Sequence, residues 1–180
     1  MSDLERKLLN SELIFTGKII NLRVDTLALP GGVQTTREVV EHHGAVAVVP
    51  INGMDVILVR QPRHAVGLSL LEIPAGKLED GENPEECARR ELREETGFVA
   101  REMEKLFTCY STPGFSNELL HIYLAADLAY EAPDPDFDED IEVVTMPLEE
   151  AVGLVWNGGI QDAKSIAGLL AAAWVAIHSE

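Results

Sequence analysis

The sequence predicts an α/β fold in which helices cover a mixed β-sheet, with an antiparallel β element at the N-terminus. Of the 180 residues, 46% are hydrophobic, which is enough for the core of one domain. Short β-branched runs dominate the chain before residue 75, and helical patterns follow at 84–96, 148–156 and 163–178. Strands first, one helix in the middle and helices at the end favour a layered sandwich of both element types.

The N-terminal third predicts two hairpins. The stretch from Ser11 to His43 alternates apolar and polar residues around the turn Pro30-Gly31-Gly32, which indicates an antiparallel pair of strands. The runs AVAVVPI at 45–51 and DVILVRQ at 55–61 are β-branched, and the turn at Asn52-Gly53 joins them into a second hairpin. The segment LSLLEIP ends a further strand.

A helix follows the polar loop GKLEDGEN. Asn83 is a good N-cap, and Pro84 suits the first helical turn. Ala88 and Leu92, four residues apart, mark the side that faces the core, and Gly97 ends the helix.

The rest of the chain predicts a return to strands and then two helices. Three segments have the composition of strands: KLFTCYST, LLHIYLAADL and IEVVTMP. The acidic loop EAPDPDFDED, which is interrupted by prolines, precedes the last of them. The helices cover Leu148–Trp156 and Ala163–His178.

Charge, apolar runs and cysteines exclude several classes of protein. The formal charge of −17, from 14 basic and 31 acidic residues, disfavours binding to nucleic acids and to anionic membranes. The longest apolar run, residues 166–177, is too short to span a bilayer. Cys87 and Cys109 have no metal or disulfide spacing, and the N-terminus has no apolar signal core. We therefore expect a cytoplasmic protein.

An acidic cluster on the middle helix needs an explanation. Glu91 and Glu95 project from one side of the helix, and Glu94 lies about 60° around the axis. Like charges at this spacing are slightly destabilising. Either a solvated acidic face tolerates them, or a divalent cation binds there, because Mg²⁺ takes one or two carboxylates together with water and substrate phosphates.

The order of residues around this cluster resembles the signature of the Nudix hydrolases. From Gly76 the chain runs through five residues to Glu82, then seven residues to RELREETGF at 90–98. The resemblance implies a Nudix-type α/β/α sandwich, and an enzyme that hydrolyses a diphosphate linked to another moiety with Mg²⁺ or Mn²⁺.

The resemblance also implies roles for individual residues. Glu91, Glu95 and the backbone carbonyl of Ala75 would be metal ligands. Glu94 would support the cluster, and Arg90 would hold it by an ion pair. The metals would neutralise and orient the diphosphate and activate a water molecule.

The sequences that flank this signature resemble the ADP-ribose pyrophosphatase branch of the family. They include GKIINLRV, VRQPR, LLEIPAGKLEDGE and STPGFSNE, with a proline sixteen residues after Gly97. This implies hydrolysis of ADP-ribose, or of a similar nucleoside diphosphate sugar, to AMP and ribose 5-phosphate. The substrate contacts implied in this way are Lys18, Arg37, Arg60, Arg63, Glu79, Pro113 and Glu118.

Members of that branch are homodimers, which implies that two segments of this chain have different functions. Residues 1–43 would form an N-terminal β element for dimerisation, and residues 44–180 would form the hydrolase domain.

The general base is implied to come from the acidic loop before the last strand. We choose Glu139 there, with Asp138 and Asp140 as alternatives, and a plain solvated loop is the competing interpretation.

Three other interpretations of the whole chain stay open at this point. The first is a Nudix pyrophosphatase of another specificity, acting for example on a dinucleoside polyphosphate. The second is a non-catalytic nucleotide-sensing Nudix module, and the third is an acidic structural domain.

Overall fold

The computed structural model describes residues 6–132 and 140–178. The chain divides into two compact units, Met1–Gly44 with Tyr110–Leu119, and Ala45–Cys109 with Leu120–Glu180. In the described part of the chain, no helix is both long enough and apolar enough to cross a membrane.

The first unit contains an antiparallel three-stranded sheet formed by β1 (Lys7–Thr16), β2 (Asn21–Ala28) and β3 (Gln34–Glu41), in that order. The predicted hairpin is β2–β3, and the turn between them contains Gly31 and Gly32 at φ 85° and 84°. The prediction of only two strands was wrong. The alternating pattern continues upstream into β1, which pairs with β2 along its length.

The other strands are β4 (Ala45–Asn52), β5 (Asp55–Arg63), β6 (Leu68–Glu72), β7 (Ala75–Lys77), β8 (Phe98–Tyr110), β9 (Leu119–Tyr130) and β10 (Glu142–Pro147), and the helices are α1 (Pro84–Thr96), α2 (Leu148–Asn157) and α3 (Ala163–His178). These strands form a mixed sheet in the order β10-β5-β4-β9-β8, with β6 paired to β5 and β7 to β4. β4 and β9 are parallel, whereas β4–β7, β5–β6 and β5–β10 are antiparallel.

Strand β4 lies at the centre of this sheet and is apolar on both faces. Val48, on one face, belongs to a buried cluster with Leu92 of α1. Val49, on the other face, belongs to a cluster with Ala151 of α2 and Leu169 of α3. A strand covered on both faces needs a continuous apolar run rather than an alternating one. The predicted α/β/α sandwich with a mixed sheet and a separate antiparallel element is confirmed.

The second predicted hairpin is also confirmed, but its two strands separate quickly. Gly53 has φ 66° in the two-residue turn, and only Ile51↔Val56 and Asn52↔Asp55 pair across it. Beyond these pairs, β4 joins β7 and β5 joins β6 and β10. The segment predicted as a polar loop therefore begins as a strand, because Gly76 and Lys77 pair with β4.

Candidate active site

Helix α1 carries the acidic cluster, and its ends are defined as its sequence predicts. The Asn83 side chain accepts a hydrogen bond from Glu85 N at 2.8 Å, and Pro84 is the first helical residue. At the other end, Gly97 has φ 73° and donates its N–H to Arg93 O at 2.8 Å. These two caps set the register of the helix, and therefore the face on which its carboxylates lie.

Arg90 joins three carboxylates into one network. Its Nε and Nη2 donate to the two carboxylate oxygens of Glu82 at 3.0 and 3.1 Å. Its Nη1 donates to Glu91 at 2.7 Å and to Glu94 at 3.0 Å. The hydrogen bonds from Arg90 lower the pKa of Glu82 to about 2, so this carboxylate stays charged well into the acid range. The arginine thus offsets the repulsion between neighbouring glutamates.

Glu91 lies directly over Gly76. A Cβ atom added to Gly76 would come within 1.9 Å of the Glu91 carboxyl carbon and within 2.0 and 2.3 Å of its oxygens. The space that the carboxylate needs exists only because residue 76 has no side chain. The glycine is therefore required here for close approach, since its φ is not positive.

Glu95 reaches the residue next to that glycine. It is 3% exposed, and its Oε2 accepts a hydrogen bond from Ala75 N at 3.0 Å. A buried carboxylate is costly unless it is hydrogen-bonded or paired with a cation. The two glutamates, four residues apart on α1, therefore both end at Ala75–Gly76 of β7.

The donors gathered at this point suit a hard divalent cation. Among the described residues, no group of three His, Cys, Asp or Glu side chains could hold a metal by itself. The predicted ligand set differs because it has two side-chain carboxylates, of Glu91 and Glu95, and one backbone carbonyl, of Ala75. Mg²⁺ accepts a set of one or two carboxylates that is completed by water and substrate phosphates. The residues present therefore fit the predicted cofactor.

Arg63, predicted to contact the substrate, forms a two-point hydrogen-bonded pair with Glu72. Its Nε and Nη2 donate to Glu72 Oε1 and Oε2 at 2.8 and 2.7 Å. Burial by itself raises the pKa of Glu72, but the hydrogen bonds from Arg63 and the charge of Lys164 outweigh it, so the pKa lies below its ordinary value. The Arg63 side chain is 39% exposed, whereas that of Glu72 is 1% exposed. Arg63 can therefore present its outer edge to an anion.

The other two predicted substrate contacts in the second unit, Glu79 and Arg60, are exposed. Glu79 is exposed, and its N–H donates to Glu82 at 3.0 Å, which joins the loop after β7 to the Arg90 network. Arg60 forms an exposed ion pair with Glu142 at 3.3 Å.

The remaining predicted contacts lie in the first unit. Lys18 and Arg37 are both exposed, Lys18 in the turn after β1 and Arg37 on β3. Pro113 is exposed in the segment between β8 and β9. Glu118 is partly buried and accepts a hydrogen bond from Ser111 Oγ at 2.5 Å.

The predicted general base, Glu139, and its alternative Asp138 lie outside the described residues. Asp140, the other alternative, is exposed just before β10.

Sequence reasoning missed the buried carboxylate behind Arg63 and its second cation partner. Glu72 and Lys164 are in contact, although 92 residues separate them. One signal was present in the sequence, because Glu72 is the only charged residue of the strand LSLLE, in which three of the other four residues are leucines. A charge at a buried strand position requires a partner.

Comparisons with known proteins agree with this geometry. A family model described as NUDIX domain matches residues 41–169. The ADP-ribose pyrophosphatase of Bacillus subtilis (strain 168) is 44% identical over 168 residues, which cover 92% of this chain and 91% of that protein. The methanol dehydrogenase activator of Bacillus methanolicus is 40% identical over 165 residues, 90% of this chain and 89% of that protein. The crystal structure of an ADP compounds hydrolase superposes with a TM-score of 0.85 at 26% identity, covering 96% of this chain and 95% of that one.

Proposed function

The chain belongs to the NUDIX family of pyrophosphohydrolases, and we propose that it cleaves the diphosphate of ADP-ribose, or of a similar nucleoside diphosphate sugar, to AMP and ribose 5-phosphate. The observation that carries the proposal is the meeting of the Glu91 and Glu95 carboxylates at Ala75–Gly76. The similarity to an ADP-ribose pyrophosphatase and to an ADP compounds hydrolase supports the choice of substrate.

Nudix pyrophosphatases generally use divalent metal ions, and we propose Mg²⁺, or Mn²⁺ in its place, for this chain. Glu91, Glu95 and the Ala75 carbonyl would hold it. When bound, the ion supplies charge neutralisation for the diphosphate and acidifies a water molecule.

The side chains of the protein hold the metal-binding carboxylates in place and bind the substrate. Arg90 holds Glu91 and Glu94 in place, so the carboxylates do not separate when the anionic substrate arrives. Arg63 provides a positive charge that contacts the anionic substrate. Such a local charge is needed because the net charge of −17 repels anions. Lys18, Arg37, Arg60, Glu79, Pro113 and Glu118 complete the proposed substrate contacts.

The attacking water must lose a proton, and we assign this step to the carboxylate of Glu139. The water oxygen then bonds to one phosphorus while the bond from that phosphorus to the bridging oxygen breaks. Positioning and charge stabilisation supply most of the acceleration in such phosphoryl transfers.

We also propose that the protein is a homodimer that uses residues 1–43. β1 is exposed along its whole length at the edge of its sheet. Exposed apolar edge strands favour association. The large apolar side chains exposed on β1 and in the turn after it are Leu8, Leu9, Leu13, Ile14, Phe15, Ile19 and Ile20. Light scattering should give twice the chain mass, and a monomer at micromolar concentration would contradict the proposal.

The cytoplasm is the compartment that we propose. The cysteines Cys87 and Cys109 are both free thiols, as a reducing compartment permits.

One assay tests the activity. The protein is incubated with ADP-ribose, GDP-mannose, NAD⁺ and a dinucleoside polyphosphate, with and without Mg²⁺, and the products are identified by chromatography. We expect AMP from ADP-ribose, only when the metal is present. Glu95→Gln should lose most of this turnover, whereas Glu86→Gln, an exposed glutamate on the same helix, should keep it. Binding without hydrolysis by the unaltered protein would favour the sensing module, and preference for another diphosphate would favour another specificity.

A further inference from the structure

A network of charges around the buried carboxylate of Glu72 lies behind Arg63, at the N-terminus of α3. The carboxylate of Glu72 accepts hydrogen bonds from Arg63 and from Lys164 Nζ, the latter on Oε2. Lys164 Nζ also donates to Asp162 at 2.8 Å. Asp162 in turn accepts from Ser165 N at 3.0 Å and from Ser165 Oγ at 2.5 Å. Each charge in the chain Arg63–Glu72–Lys164–Asp162 therefore contacts one of opposite sign.

This network restricts the orientation of the Arg63 guanidinium. A two-point contact between guanidinium and carboxylate keeps the two groups nearly coplanar. Lys164 holds the same Glu72 oxygen that Arg63 Nη2 contacts, so Lys164 limits rotation of the carboxylate. Arg63 Nη1 takes no part in the pair. The plane of Glu72 thus determines where that nitrogen points.

The same helix terminus also holds the segment that leads to the candidate metal site. Ser165 Oγ accepts the N–H of Ile73 at 2.9 Å, and Ser165 is fully buried. The next backbone groups are held by other elements, Pro74 O by Val48 N at 2.9 Å and Ala75 N by Glu95 at 3.0 Å. The N-terminus of α3 is therefore one of three supports for residues 73–75.

We propose that Lys164 is a positioning residue for catalysis, which acts through Glu72 to orient the Arg63 guanidinium toward the substrate diphosphate. The inference rests on the proposed function, because it names the group that makes Arg63 an effective substrate contact. Without Lys164, Glu72 would keep Arg63 as its one cation partner among the described residues. Its carboxylate would then be free to rotate, and the guanidinium paired with it would lose its orientation toward the substrate. Removal of Lys164 should therefore weaken substrate binding while the chemical step, at Glu91 and Glu95, changes little.

A double-mutant cycle with ADP-ribose and Mg²⁺ tests this. The variants are Lys164→Met, Arg63→Ala and the double variant, with Lys105→Met as a control that removes an exposed lysine on β8. We expect each single variant at the site to raise KM about tenfold with a smaller effect on kcat, and the double variant to raise it no further than the worse single one. The control should keep the KM of the unaltered protein. A loss of structure alone would instead reduce the active fraction, and so kcat.

The outcomes separate the two proposals. The positioning role would be overturned if Lys164→Met had an unaltered KM. It would also be overturned if the two KM increases multiplied to about a hundredfold in the double variant. Either result would leave the proposed function standing. If the unaltered protein hydrolyses none of the diphosphates, the proposed function fails first. Calorimetry monitors folding of each variant. If Lys164→Met does not fold, Lys164→Ala, which also removes the donor to Glu72 and admits water in its place, takes over in the same cycle with the same expected KM.

Discussion

Replacement of Gly76 by alanine tests the geometry of the site with a single methyl group. The added Cβ would lie 1.9 Å from the Glu91 carboxyl carbon, whereas ordinary contact begins at 3.4 Å. The carboxylate must therefore move by about 1.5 Å to reach an ordinary contact distance. Displacement of a catalytic group by about 1 Å can cost about 100-fold in rate, which corresponds to about 2.7 kcal/mol in the activation free energy.

The fold should tolerate this change. The φ of Gly76 is not positive, so alanine meets no backbone strain, and the atoms in its way belong to the end of a flexible side chain. We expect kcat for ADP-ribose hydrolysis to fall about 100-fold and the Mg²⁺ concentration for half-maximal rate to rise, with little change in the melting temperature. Steady-state kinetics over a range of Mg²⁺ concentrations, together with calorimetry, measures all three quantities.

Gly153→Ala is the matched control. Residue 153 lies within α2, and a Cβ added there meets no atom within 4 Å. Alanine should raise the free energy of unfolding there by up to about 1 kcal/mol and leave kcat unchanged. A folded Gly76→Ala protein with the kcat of the unaltered protein would refute the catalytic role of the Glu91 position.

Three further predictions concern stability. The pKa of Glu82 is lowered from 4.5 to about 2, so its carboxylate contributes stability that is fully present above pH 4.5 and lost as the pH falls toward 2. In Arg90→Met, the free energy of unfolding, measured by urea titration, should fall less between pH 4.5 and 2 than it does in the unaltered protein. An equal fall in both proteins would contradict the assignment. Glu72→Gln should lower the free energy of unfolding by about 2 kcal/mol, because it removes the anion that Arg63 contacts and one of the two that Lys164 contacts. Glu142→Gln, in an exposed pair, should cost less than about 1 kcal/mol, and equal costs for the two variants would argue against a special role for burial. Asn83→Ala removes the N-cap of α1 and should cost about 1 kcal/mol, visible as a lower urea midpoint; an unchanged midpoint would show that water replaces the cap.

Local rules predicted α1 well, as the residues at its ends show. Asn83 and Gly97 were expected as caps, and Ala88 and Leu92 as core residues, and the structure confirms all four. Local rules succeeded because each of these features depends on neighbours within about one helical turn. They failed for β1, since the same alternating pattern is compatible with either two or three strands.

The candidate site was predicted in part. The sequence order identified Glu91 and Glu95 as a pair on one side of a helix, together with the glycine at 76. It could not show that the Glu91 carboxylate occupies the place of a Cβ at Gly76, or that Glu95 accepts the Ala75 N–H. Both contacts require β7 to lie against α1, and that placement is a result of packing.

The sequence by itself determined the class of fold, the position and ends of the helices, and the order of charged residues along α1, because these follow from spacing and residue type over short distances. Only the tertiary structure decided which distant groups meet, above all Glu72 and Lys164, which are 92 residues apart. The physical reason is that burial, rather than sequence spacing, makes such a contact necessary. A carboxylate with 1% exposure requires a cation, and the packing of α3 against the sheet brings Lys164 to it as a second partner beside Arg63.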